Sequence, residues 1–146
     1  MKKGKYRKGI FIVVYKKEKN KIKYLLLKRK LHWKGWEFPK GGCEAKETYR
    51  KCASREIKEE TGHKPIKINW YCKQGKYKWK KGLEDRPEFI GQTYTLLSAE
   101  IKNKKIKFDK KEHSSYKWVD FDKALKLLTW PNQRSCLRVV NKHINL

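Results

Sequence analysis

Residues 39–62 read PKGGCEAKETYRKCASREIKEETG, and the second half of this stretch decides how the rest of the chain is arranged. From 48 to 61 the apolar positions are Tyr49, Cys52, Ala53 and Ile57, the three-and-four spacing of a helix buried along one stripe. Thr48 is placed to cap its start and Gly62 to end it. Upstream, residues 9–15 and 22–28 are β-rich apolar runs separated by KKEKNK, which predicts an antiparallel hairpin, and residues 30–46 read as a long loop. Downstream, strands are expected at 66–72, 89–101 and 116–119, with a basic, aromatic segment at 73–82 between the first two. Helical periodicity follows at 122–128 and 132–144, the last beginning just after Pro131. Strands, a central helix, more strands and closing helices imply a mixed α/β sandwich rather than a doubly wound parallel sheet.

The central helix carries an unusual charge pattern. Only 15 acidic residues exist, yet Glu37, Glu44, Glu47, Glu56, Glu59 and Glu60 all fall between positions 37 and 60. Glu56, Glu59 and Glu60 stand at i, i+3 and i+4, on neighbouring positions of one helix face. The residues three and four positions from Glu56 are Cys52, Ala53, Glu59 and Glu60, so no basic partner is expected from helical spacing. Like charges so placed cost an isolated helix roughly 0.2 to 0.5 kcal/mol per pair, a penalty that a bound divalent cation removes. Mg²⁺ prefers oxygen ligands and bridges carboxylates to phosphates. A solvated acidic helix face is the alternative for an arbitrary ExxEE triplet.

The context favours the metal. Gly41, five residues, Glu47, seven residues, then Arg55-Glu56-Ile57-Lys58-Glu59-Glu60-Thr61-Gly62 resembles the Nudix box, Gly-x5-Glu-x7-Arg-Glu-aliphatic-x-Glu-Glu-x-Gly-aliphatic, at every position except the last. With ordinary residue frequencies, a chance match at the eight specified positions is on the order of 10⁻⁹ per window. His63 stands where the family has an aliphatic residue, and a half-buried imidazole is expected there. The resemblance implies an α+β fold, an α/β/α sandwich around a mixed sheet, in which Glu56, Glu59 and Glu60 hold Mg²⁺ or Mn²⁺, supported by Glu47 directly or through water. It further implies that Arg55 orients a carboxylate through its guanidinium fork and that the Gly41 carbonyl approaches the metal.

The flanks extend the resemblance. Trp36-Glu37-Phe38-Pro39-Lys40-Gly41-Gly42 is similar to the WxFPKG lead-in of Nudix enzymes acting on dinucleoside polyphosphates or on RNA 5′ ends, which implies that Lys40 faces a phosphate. Gly91-Gln92 and the segment from Glu112 to Trp118 are similar to the GQ strand and the glutamate-to-tryptophan segment of the same enzymes. Glu112 is thereby implied as general base or additional metal ligand, and His113 is read as structural. Trp33, Tyr77, Trp79 and Tyr94 are aromatics able to stack a base; Tyr94 and Trp118 are expected in the core, while Tyr77 and Trp79 stay open between stacking and packing.

Composition bounds the rest. The 146 residues suit one domain spanning 1–146, with no repeat or linker. Cys43, Cys52, Cys72 and Cys136 show neither a CxxC pair nor zinc spacing and are read as reduced thiols in cytoplasm. The apolar run after the basic N-terminus is too short for a signal peptide or a membrane span, and neither a membrane nor an obligatory protein partner is expected. The net charge of +25 suits an RNA partner, but 33 of the 40 basic residues are Lys, which coding bias explains equally well. Within these bounds the resemblance implies a metal-dependent pyrophosphohydrolase in which a metal-activated water attacks phosphorus in a nucleoside diphosphate-linked substrate. Diadenosine tetraphosphate is the favoured substrate and an RNA 5′ end the alternative, with damaged nucleoside triphosphates or non-catalytic RNA binding behind them.

Overall fold

The computed structural model describes residues 4–31, 33–79, 88–102 and 105–145. Among the described residues eight strands form one mixed sheet: β1 (Lys5–Arg7), β2 (Gly9–Glu18), β3 (Lys21–Arg29), β4 (Gly35–Glu37), β5 (Lys40–Gly42), β6 (Lys67–Lys78), β7 (Phe89–Glu100) and β8 (His113–Val119). The spine runs β1-β7-β2-β3-β4, with β5 on β2, β6 on β7 and β8 on β3. Strand β7 runs parallel to β2 and β1, while β6 on its other edge is antiparallel.

Alternation along β2 and β3 divides their side chains between the two faces, since successive residues of a strand point opposite ways. Ile10, Ile12, Val14, Leu25 and Leu27 pack with Cys52, Ala53 and Ile57 of helix α1 (Tyr49–Thr61). Phe11, Val13, Tyr15, Tyr24 and Leu26 face the other way, onto Ala124 of α2 (Phe121–Leu127) and Cys136, Leu137 and Val140 of α3 (Pro131–Ile144). The expected three-layer sandwich is therefore present. Thr48 caps α1 by accepting from the Lys51 N–H at 3.1 Å, and Gly62 closes it at φ 79°. Pro131 occupies the first turn of α3, as its fixed φ favours.

The antiparallel hairpin expected around KKEKNK is present: β2 and β3 run on through that stretch to a two-residue turn at Lys19 and Asn20, both at positive φ. Two other local expectations need correction. Residues 30–46 contain β4 and β5, each only three residues long and stabilised by distant partners rather than by a local pattern. Strand β6 continues to Lys78 through a register shift between Trp70 and Gln74, absorbing much of the basic, aromatic segment; Lys80 to Gly82 lie outside the described residues.

The reading of all four cysteines as reduced is overturned for Cys43 and Cys52, which form a disulfide. Their nine-residue separation matches no redox motif, but the turn from β5 into α1 brings their Cα atoms to 5.4 Å. Cys72 and Cys136 are free. Among the described residues no helix is long and apolar enough to cross a membrane.

Candidate active site

Helix α1 buries Cys52, Ala53, Ile57 and Thr61 against the sheet, and the same stripe carries Glu56 and Glu60 into partly enclosed space at its edge. Glu59, one step round the helix, keeps 56% of its side chain exposed. Arg55 organises the surrounding carboxylates. Its Nε and Nη2 each donate to one Glu47 oxygen at 2.8 Å, its Nη1 to Glu56 at 2.9 Å, and its Nη2 also to the Gly42 carbonyl at 3.0 Å. Nη1 lies 3.4 Å from Glu59 as well.

The expectation that Glu56 lacks a basic partner is thus corrected. Helical spacing considers only positions three and four away, whereas the long Arg55 side chain reaches its immediate neighbour. The two-point grip of Arg55 holds the Glu47 carboxyl down at about 2 and raises the guanidinium's own pKa. Gly41 lies so close to the Glu56 carboxylate that a Cβ there would push that carboxylate out of its present place.

A second charged layer lies beneath the first. Glu37 is completely buried, with its Oε2 2.7 Å from His113 Nε2 and 3.4 Å from Arg29, and its Oε1 3.4 Å from Lys40 Nζ. His113 Nδ1 lies 3.3 Å from Glu60 Oε2, an ion-pair distance without hydrogen-bond geometry, and Arg29 lies 3.8 Å from Glu112. Burial opposes the charged form of His113, but Glu37 and Glu60 outweigh it and push the imidazole up to about 9. Burial likewise raises Glu37, yet Lys40, His113 and Arg29 prevail and keep it ionised.

The opposite balance holds nearer the cleft. Burial, with Glu59 adding to it and Arg55 opposing, raises Glu56 to about 7; burial against the pull of His113 raises Glu60 as well. These are carboxylates short of positive charge. Donor atoms of Glu60, Glu112 and His113 lie within 4.8 Å of one another, and the buried Glu60 Oε2 has no hydrogen-bond partner. His113 Nε2 is engaged by Glu37 at 2.7 Å, and the carboxylates beside it offer oxygen donors suited to a hard divalent cation. Glu56, Glu59, Glu60 and Glu112 are the residues able to hold it.

All four line one cleft of about 1020 Å³, and so do Gly41, Arg55, Lys40, Tyr77 and Trp79. Glu47 does not; both its oxygens are engaged by Arg55. Trp33 and Trp130, edge to face at 5.2 Å, line the cleft too. Lys40 Nζ stands 5.7 Å from the Trp33 ring centre and 5.6 Å from that of Tyr77. Tyr94 is in the core, stacked 4.2 Å from Phe11, and Trp118 is half-buried beneath Lys16. His63 is half-buried, with its ring nitrogen 2.5 Å from the Lys105 carbonyl.

Sequence reasoning missed Arg29, Trp130 and the part played by Glu37. Glu37 sits inside the quoted lead-in and could have been noticed as an acid among apolar neighbours. Trp130 reaches the cleft because hydrogen bonds tie the start of α3 to the β4 segment: Thr129 Oγ1 accepts from the Trp36 N–H and Gln133 Oε1 from the Phe38 N–H.

The model of the NUDIX domain matches residues 5–140. The chain is 24% identical over 162 residues to the RNA pyrophosphohydrolase of Bartonella bacilliformis, covering 97% of this chain and 93% of that one. It is 29% identical over 133 residues to the asymmetrical bis(5′-nucleosyl)-tetraphosphatase of Caenorhabditis elegans, covering 90% and 91%. The fold is similar to the crystal structure of a Caenorhabditis elegans Ap4A hydrolase binary complex, with a TM-score of 0.77, 24% identity and coverage of 95% and 98%.

Proposed function

The chain belongs to the NUDIX family and is a pyrophosphohydrolase, and from that premise we propose that it hydrolyses a dinucleoside polyphosphate such as diadenosine tetraphosphate with the aid of Mg²⁺ or Mn²⁺. The observation that carries this reading is that one cleft is lined by the carboxylates, by four aromatic rings and by Lys40, whose ammonium lies 5.7 and 5.6 Å from two of those ring centres. A nucleoside linked through several phosphates combines a base and a phosphate chain that such a lining suits.

A divalent cation on Glu56, Glu59 and Glu60 would neutralise the phosphate chain and make an attacking water more acidic. The residues of the chain supply the rest. Trp33, Trp130, Tyr77 and Trp79 offer apolar faces to a base, and the Lys40 ammonium meets the adjoining phosphates. Arg55 fixes the carboxylates so that little reorganisation is needed when charge moves. Glu112 presents a partly exposed carboxylate beside Glu60, where it accepts the proton released by the water.

A second reading, hydrolysis at the 5′ end of RNA, draws on the net charge of +25 and on a relative of that name. Product analysis with Mg²⁺ on diadenosine tetraphosphate and on a short 5′-triphosphate RNA, each at low and physiological salt, separates the two. Preferential cleavage of the dinucleotide is expected. Preferential, strongly salt-dependent cleavage of the RNA would replace the first reading by the second.

A further inference from the structure

The buried charges beneath the cleft connect two parts of the site that the chemistry uses separately. Strand register brings them together. Leu27 of β3 pairs with Glu37 of β4, and Arg29 of β3 pairs with His113 of β8, so the four residues share the face that α1 covers. Glu37 sits at the junction. Its carboxylate, 0% exposed, reaches Lys40 through one oxygen and His113 and Arg29 through the other. His113 in turn faces Glu60, and Arg29 faces Glu112.

We propose that Glu37 is a positioning residue: its buried carboxylate fixes Lys40 in the cleft and, through His113 and Arg29, sets Glu60 and Glu112 at the cation site. A buried carboxylate is costly unless it is paired, and removal of one partner from such a set strands the others. Arg29, Lys40 and His113 all converge on the Glu37 carboxylate, and Arg29 and His113 also face Glu112 and Glu60. Replacing Glu37 removes the group these three share, so Arg29 and His113 lose the contact that holds them toward Glu112 and Glu60. It also frees Lys40, whose ammonium then spends part of its time away from the phosphate position. Partners that hold metal-binding residues in place are typically worth 10- to 100-fold in metal affinity or activity. This inference rests on the reading of the cleft as a cation and phosphate site.

The test uses the full chain with Glu37→Gln, which keeps the shape and loses the charge, and Glu37→Asp, which keeps the charge and shortens the reach. Mn²⁺ binding is followed by electron paramagnetic resonance without substrate, and KM and kcat are measured on diadenosine tetraphosphate. For Glu37→Gln, Mn²⁺ affinity falls about 10-fold and KM rises about 10-fold. Glu37→Asp holds Mn²⁺ within about 3-fold of wild type, yet its KM stays raised because it no longer reaches Lys40. Adding Lys40→Gln to Glu37→Gln raises KM by much less than it does in the wild-type background, a coupling that a merely structural role would not produce.

A folded Glu37 variant matching wild type in both Mn²⁺ affinity and KM overturns the proposal. Failure of the wild-type protein to bind Mn²⁺ overturns the underlying site reading with it. Wild-type Mn²⁺ binding without turnover of the dinucleotide rejects only the substrate, and the proposal then stands or falls on the Mn²⁺ affinities.

Discussion

The carboxylates and the aromatic rings of the cleft are built in opposite ways. The carboxylate cluster comes almost entirely from one helix and the turn before it: Glu56, Glu59 and Glu60 project from α1, and Arg55 of the same helix binds Glu47, Glu56 and the Gly42 carbonyl. The aromatic set is assembled from separate segments. Trp33 precedes β4, Tyr77 lies near the end of β6 and Trp79 follows it, and Trp130 stands at the head of α3. The first depends on local spacing and is laid down with the helix; the second exists only once the sheet and the last helix have closed. Chemistry placed on a rigid local element can stay constant while the substrate varies with the segments around it.

The most severe way to break this comparison is at Glu59. Its side chain is more exposed than its two partners and has no core contact to lose, so Glu59→Gln should leave thermal stability within about 0.5 kcal/mol of wild type. Loss of one cation-binding oxygen should lower kcat about 1,000-fold, since cation stabilisation of the transition state is worth several kcal/mol. Calorimetry and steady-state kinetics on the same sample check both. Substantial retained turnover would mean that the carboxylate cluster is not where the chemistry occurs.

Trp130→Ala probes the aromatic set. The ring is substantially exposed and its contact is Trp33, so the substitution removes a stacking face without opening the core. Stacking is worth roughly 1 to 3 kcal/mol per base, which predicts a rise in KM of about 5- to 150-fold. The kcat should stay within about 2-fold, the signature of binding that is equal in ground and transition states. A fall in kcat with unchanged KM would show that the two groups do not divide the work as their construction suggests.

The same contrast explains what could be read in advance. The helix, its Thr48 and Gly62 caps and its three glutamates are separated by fixed numbers of residues, and helical geometry converts such numbers into positions. The two faces of the sheet were legible because β2 and β3 are long and apolar. Strands β4 and β5 were not, because three residues carry no period and their pairing is decided by strands elsewhere in the chain. The Cys43–Cys52 disulfide escaped for a related reason, as the distance it needs is created by the path from β5 to α1. Likewise nothing near Trp130 indicates that it will meet Trp33, almost a hundred residues away, and the compensation of Glu56 was missed because spacing rules do not account for a side chain as long as Arg55.

A smaller effect sharpens the comparison through pH, because Trp33, Trp79 and Trp130 do not titrate whereas the carboxylates do. In protein stripped of divalent cations, the Glu56 carboxyl stands at about 7, raised by burial and by Glu59, against an ordinary value of 4.5. Between those values the folded chain holds a proton that the unfolded chain has released, so stability is full below the lower value and declines as pH rises through the upper one. His113 acts in the same direction: held at about 9 by Glu37 and Glu60 against an ordinary 6.5, its contribution is lost as pH rises through 9. Glu47, held at about 2 by Arg55, acts only at the acid end, where its contribution fades as pH falls from 4.5. The melting temperature of the stripped protein should therefore peak near pH 5 and fall on the order of 5 °C by pH 9. Added Mg²⁺ should flatten that decline, because a cation takes the place of the proton on Glu56 and Glu60 and binds more tightly as they ionise. Calorimetric scans across pH with and without Mg²⁺ measure the difference directly. Parallel curves would mean that no cation occupies the carboxylate cluster, which would remove the physical basis for assigning the chemistry there.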